Sequence, residues 1–187
     1  MNSSIPTPTK GQRQKRPLSV QELTVFAMFG ALMFASKLAM EMLPLPNVHL
    51  LGMFVMLLTV VYRARALVPL YLYVFLNGLF AGFSLWWMPY LYVWTILWGA
   101  VMLLPKRMPR KLAMVLYPLL GCLHGLAFGA LYAPAQALLF GLNWQQTLAW
   151  IAAGLPFDLM HGVGNLVTGL LVVPLSELLR RLNRAIL

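Results

Sequence analysis

The chain has 187 residues, of which 61% are hydrophobic and only 10% charged, and it carries a formal net charge of +10 at neutral pH. That is more apolar surface than a soluble fold of this size can bury, so a bilayer has to supply the missing apolar environment. The surplus charge would suggest a nucleic-acid binder in a soluble protein, but here the basic residues fall between apolar tracts, and no nucleic-acid partner is expected.

Residues 1–17 mix Ser, Thr, Pro, Gln and basic residues, the composition of a disordered cytoplasmic tail. Residues 18–187 read as a single membrane domain. A spanning helix needs about 20 mostly apolar residues, and apolar tracts lie near 20–43, 49–63, 66–84, 89–105, 112–140 and 147–180. The first tract lacks a small-residue cleavage site and is expected to stay in the mature protein. The expectation is an all-α, polytopic bundle of six transmembrane helices.

Pro44 and Pro46 end the first tract and make 43–48 an external loop. The second and third external loops are 84–89 and 141–146, neither with a lysine or arginine. Arg63 and Arg65, then Lys106, Arg107, Arg110 and Lys111, then Arg180, Arg181 and Arg184 join the four basic residues of the tail on the opposite side. Of the 14 basic residues only Lys37 departs from this pattern. By the positive-inside rule both termini are cytoplasmic, with anionic inner-leaflet lipid as a secondary attraction. Pro134 and Pro156, with glycines nearby, are expected to kink or break the last two tracts. Irregular backbone at membrane depth is tolerated where it is buried in protein or lines a wet cavity, so such breaks point to a cavity in the outer half.

Several constellations stand out. Ala27, Ala31, Ala35 and Ala39 recur every four residues, beside Gly30, and make a smooth face for close helix packing, either within the bundle or against an external helix. Lys37 and Glu41 lie one turn apart, as a mutual ion pair or as contacts to a polar ligand. Asp158, His161 and Asn165 share one helix face, where they either bond neighbouring helices or line a polar pocket. His124, Phe128, Tyr132 and Gln136 continue in four-residue steps, with Phe128 placed in the core. With Trp86, Trp87, Tyr90, Tyr92 and Trp94 around the second external loop, they could stack on a flat heteroaromatic solute or form the interfacial aromatic belt. His49 and His124 match no strong metal-ligand spacing, so no metal is assigned. Cys122 is the only cysteine, which rules out an internal disulfide.

No GxxxxGK[ST], HExxH or GxSxG motif is present. Asp158 with His161 could act as a base in an intramembrane enzyme, but no nucleophile stands at a matched position, and an enzyme is not expected. No internal repeat is found, which weakens a reading as a self-sufficient secondary transporter.

Six helices in under 200 residues, the Ala27-Met-Phe-Gly-Ala31 segment with its continuation, and aromatic outer loops together resemble the S components of energy-coupling factor (ECF) transporters. The resemblance implies high-affinity capture of a water-soluble vitamin from outside, with no cofactor. It implies docking of an alanine face, here Ala27, Ala31 and Ala35, onto a transmembrane T component, and two partner ATPases that drive the cycle. The stretches Leu45-Pro46-Asn47-Val48-His49-Leu50-Leu51-Gly52 and Leu155-Pro156-Phe157-Asp158 resemble the cobalamin-associated subgroup. A pyridoxine-type vitamin would suit the same residues, and the nickel and cobalt branch is disfavoured by the absence of a histidine-rich amino terminus. The substrate-binding candidates are Lys37, Glu41, Asn47, His49, Trp87, Tyr90, Trp94, His124, Tyr132, Gln136, Asp158, His161 and Asn165. The alternative to a transport subunit is a membrane assembly or morphogenesis protein.

Overall fold

The first helix begins where the sequence offers a capping box. Ser19 Oγ accepts the backbone N–H of Glu22 at 3.1 Å, and the Ser19 N–H donates to the Glu22 carboxylate at 3.0 Å, so two otherwise orphan donors are satisfied at Val20. The computed structural model describes residues 17–43 and 48–186. Residues 1–16 of the tail read at 1–17, and Pro44, Pro46 and the candidate Asn47, lie outside the described residues. Among the described residues the chain is all-helical: α1 (Val20–Glu41), α2 (Leu51–Tyr62), α3 (Leu67–Ala81), α4 (Tyr90–Leu103), α5 (Arg110–Leu126), α6 (Phe128–Phe140), α7 (Trp144–Gly169) and α8 (Val172–Ile186).

By length and hydropathy three stretches suffice to cross a membrane: Val20–Glu41, Leu51–Ala81 and Arg110–Phe140. A fourth is added if α7 and α8, bent by 47° at their junction, count as one span. The sequence suggested six tracts. They merge because α2 and α3 share one helical run of 31 residues, while α4, with 14 residues, is only about 21 Å long.

The Leu51–Ala81 stretch nevertheless doubles back. His49, just before it, stands beside Trp94 with ring centroids 5.8 Å apart, and Tyr71 donates to the Leu91 carbonyl at 3.0 Å, so both meet the same end of α4. Arg63, between them, donates to the Met102 carbonyl at the other end, at 2.8 Å. The pairing with α1 agrees. Along α3 it runs parallel, with Arg65 paired to Glu22, Leu72 against Gly30 and Phe80 beside Phe34. On α2 it is the far end, Tyr62, that meets Phe26, at 5.0 Å between centroids. The reversal is made at Arg63, whose φ of 56° lies in a region that favours glycine. That conformation costs about 1–3 kcal/mol. It is held by the Met102 bond and by Trp98, whose indole N–H donates to the Arg63 carbonyl at 3.1 Å.

α2 is the core helix, with every residue from Leu51 to Thr59 buried. A helix that is apolar all round belongs inside a bundle. α5 and α7 form the most extensive pairing and run antiparallel: Pro118 meets Gly169, Gly121 meets Asn165 and Gly125 meets Gly162, and the series continues on α6, where Gly129 meets Asp158. The α5–α6 glycines are spaced four apart, which aligns them into a trough where backbones approach directly. At Gly125 a Cβ would lie 2.7 Å from the Gly162 Cα.

The helix breaks fall elsewhere than the prolines suggested. Pro134 lies inside α6 and Pro156 inside α7, both continuous. The α5–α6 break comes at Ala127 and the last bend at Leu170 and Leu171. α7 also starts earlier than the tract read at 147–180, because Asn143 and Gln146 form a second capping box, with both bonds at 2.9 Å. α8 is amphipathic: Val172 and Val173 are buried, Leu175 and Leu179 pack on the core, and Arg180, Arg181 and Arg184 are exposed.

Candidate functional site

The α4 indole of Trp94, 1% exposed, is the hub of a ring cluster drawn from four parts of the chain. His49 comes from the residues before α2, His124 from α5, Phe128 from the start of α6 and His161 from α7. Their ring centroids lie 5.8, 5.6, 5.5 and 6.2 Å from that of Trp94. The satellites also touch one another: His161 is 4.8 Å from His49 and 4.6 Å from Phe128. A column of rings leads outward from this hub. Phe128 meets Tyr132 at 6.0 Å, Tyr132 stacks on Trp150 at 5.9 Å and 16°, and Tyr90 bridges Trp94, Tyr132 and Trp86. The Tyr132 hydroxyl donates to the Trp86 carbonyl, tying α6 to the loop before α4.

The cluster is aromatic and also polar, and its polar atoms are unsatisfied. Buried His49 Nδ1, Trp94 Nε1, His124 Nδ1 and His161 Nε2 have no hydrogen-bond partner among the described residues, nor do both side-chain polar atoms of Asn165. Asn165 is 0% exposed and packs on Gly52, where a Cβ would come within 2.8 Å of its Oδ1. Each orphan costs about 1–3 kcal/mol, and buried orphans are few in native folds. So many in one region mark a place where a polar ligand or ordered water completes the bonding. On α3, Tyr73 and Asn77 add two more buried unpaired groups, the Tyr73 hydroxyl and Asn77 Nδ2, with Tyr73 in electrostatic reach of Tyr90.

The sequence candidates divide between this cluster and other roles. His49, Tyr90, Trp94, His124, Tyr132 and His161 join the cluster, and Asn165 lies one helical turn below it. Lys37 and Glu41 form an ion pair on α1, with Lys37 largely covered, and both lie within electrostatic reach of His49. Gln136 is half-buried one turn beyond Tyr132, toward whose hydroxyl its side chain points. Trp87 stands apart: it packs on Phe83 and donates its indole N–H to the Val74 carbonyl at 2.8 Å, while its neighbour Trp86 carries the ring contact to Tyr90.

Asp158 has a structural task. Both of its carboxylate oxygens accept the Gly129 N–H, at 3.0 and 3.1 Å, at the amino-terminal end of α6. That end presents unsatisfied N–H groups and the positive pole of the helix dipole, so a carboxylate stabilises it. Asp158→Ala should therefore lower the thermal stability of the purified protein by about 1–3 kcal/mol. Asp158→Asn, which keeps an acceptor, should recover most of the loss; equal melting temperatures for all three proteins would show that the cap contributes nothing.

Two features of the site escaped the sequence reading although a signal was present. Trp150 sits eight residues before Asp158 on α7, on the face that the polar stripe already marked. Asn77 is a lone amide in an apolar tract, where a polar group is costly and faces the interior. Among the described residues no three His, Cys, Asp or Glu side chains are arranged to hold a metal ion. Comparison with protein-family models, curated proteins and solved structures found no match to the chain.

Proposed function

We propose that the chain is the substrate-binding S component of an ECF-type vitamin importer. It crosses the membrane six times with both termini in the cytoplasm, and it captures a water-soluble vitamin, with cobalamin the first candidate and a pyridoxine-type vitamin the second. The observation that carries this reading is the buried Trp94 cluster, with four tilted or edge-on partner rings and orphaned imidazole, indole and amide groups. Ligand pockets combine apolar and aromatic walls with a few convergent polar groups, and a flat heteroaromatic vitamin offers both ring faces and hydrogen-bonding edges.

Six crossings are supported by the alternation of helix direction. α2 returns against α1, α3 reverses at Arg63, α4 runs against α3, and α7 runs against α5. The Arg63 turn, the 104–109 connection and α8 then fall at one end of the bundle, with their basic residues, and the ring cluster lies toward the other. This is the charge asymmetry of a protein with a cytoplasmic basic face.

The alanine face of α1 supports docking to a T component. Ala27, Ala31 and Ala35 are all exposed, whereas Phe26, Gly30 and Met33 point into the bundle. Ala31 and Ala35 line an apolar groove of about 630 Å³ with Leu32, Leu179 and Leu182. The double variant Ala31→Leu with Ala35→Leu should reduce vitamin uptake by cells at least about tenfold, a loss of about 1.4 kcal/mol in docking, while solute binding by the isolated protein stays unchanged. Loss of binding in the isolated variant would make the face part of the internal packing. The reading itself is tested by identifying the small molecule that stays with the purified protein.

A further inference from the structure

At the end of the bundle away from the ring cluster, α8 crosses beneath α2 and α5 and closes a cavity of about 110 Å³. Its rim carries Lys106, Arg110 and Arg180 against a single acid, Glu177, and Tyr117 also lines it. Glu177 is taken up by Arg110, whose Nε donates to it at 3.1 Å. Arg180 is anchored by one Nη2 bond to the Val60 carbonyl at 3.1 Å, which leaves other guanidinium N–H groups for a ligand. Lys106 has no ion-pair partner among the described residues. The floor is apolar, made by Val60, Ala113 and Val173.

We propose that this cleft seats the phosphate of an anionic phospholipid headgroup. Converging cations with an adjacent hydroxyl bind a phosphodiester through charge-assisted bonds, and the cavity has room for a phosphate in place of a few waters, each of which takes about 30 Å³ in the liquid. The surroundings favour a lipid over a free anion. Leu103, Leu112 and Val115, next to the basic rim in sequence, are 88%, 48% and 54% exposed, so apolar side chains turned outward run up to the ring of cations. That layering matches the boundary between acyl chains and headgroups. Arg181 and Arg184, exposed on α8 beyond the cleft, extend the positive surface along the same plane.

Native mass spectrometry of the full chain, released from nanodiscs of equimolar phosphatidylcholine and phosphatidylglycerol, tests this. The wild-type protein should retain one phosphatidylglycerol. Lys106→Gln with Arg180→Gln should retain it roughly a hundredfold less, from about tenfold for each charge-assisted bond to the phosphate that is lost. Arg107→Gln with Lys111→Gln removes the same charge outside the cleft and should leave retention unchanged. Because Arg180 also caps the end of α2, Lys106→Gln alone provides the readout if the double variant is not monodisperse, with about a tenfold loss expected. Equal loss in both double variants, or no retained lipid, would overturn the site. Inorganic phosphate added to the nanodisc sample before release should not displace the lipid; phosphate binding that phosphatidylglycerol fails to compete with would assign the cleft to a free anion and overturn the lipid assignment.

Discussion

Gly125→Val should lower the stability of the bundle by about 3 kcal/mol or more. A Cβ at Gly125 would lie 2.7 Å from both the Cα and the N of Gly162, and both are backbone atoms that no rotamer change can move aside. The helices would have to part along the α5–α7 pairing, the most extensive one in the fold. Overpacking typically costs 1–3 kcal/mol, and a backbone clash lies at the upper end or beyond. Against a total stability of about 5–15 kcal/mol, a loss of about 3 kcal/mol removes a fifth or more of what holds the bundle together. Gly99→Ala provides the control, since nothing lies within 4 Å of a Cβ there. Size-exclusion profiles and melting temperatures of the two variants check the expectation, and a monodisperse Gly125→Val protein with the wild-type melting temperature would show that the close approach is dispensable.

The second large effect concerns His161, which is 2% exposed and touches His49, Trp94 and Phe128. Its Nε2 has no partner among the described residues, so His161→Phe removes no hydrogen bond at that atom and keeps a ring in the same place. Replacing an orphaned buried polar atom by an apolar group of similar shape is close to neutral for stability or favourable. Solute affinity should behave in the opposite way, falling roughly 5- to 150-fold as a buried bond worth about 1–3 kcal/mol is lost. Isothermal titration alongside thermal melting separates the two roles. A protein that keeps its affinity and loses stability would make His161 a packing residue.

Much of the helix content could be read directly from the chain. The Ser19 and Glu22 pair is a capping box that fixes the start of α1, and Asn143 with Gln146 is a second that was available in the same way. The prolines misled for a physical reason. Local adjustment of a helix can take up the carbonyl that a proline frees, and Pro134 and Pro156 sit at exposed positions in continuous helices. The true break at Ala127 is supported from outside, by Asp158 on α7 capping the new helix start, and no local sequence signal encodes a contact made 29 residues away.

The site shows the same division. Spacing placed Asp158, His161 and Asn165 on one stripe, yet their partners separate them: Asp158 caps α6, His161 enters the ring cluster, and Asn165 lies against Gly52 and Gly121. The four-residue spacing of Gly121, Gly125 and Gly129 was visible, but its meaning depends on Asn165, Gly162 and Asp158 facing it across an antiparallel crossing. Trp86 and Trp87 are indistinguishable in sequence, and only the turn before α4 decides which ring faces Tyr90. His49 reaches His161 because α2 lies at the centre of the bundle, a consequence of topology that spacing does not carry.

The most direct test of the account is the identity of what the protein holds. The full chain, purified in a mild detergent from cells grown with a mixture of water-soluble vitamins, should release on denaturation one vitamin in near-stoichiometric amount. That molecule should be cobalamin or a pyridoxine-type compound by mass, and much less of it should come from His161→Phe. Repeated purification of a folded, monodisperse protein that releases no vitamin would contradict the proposed function.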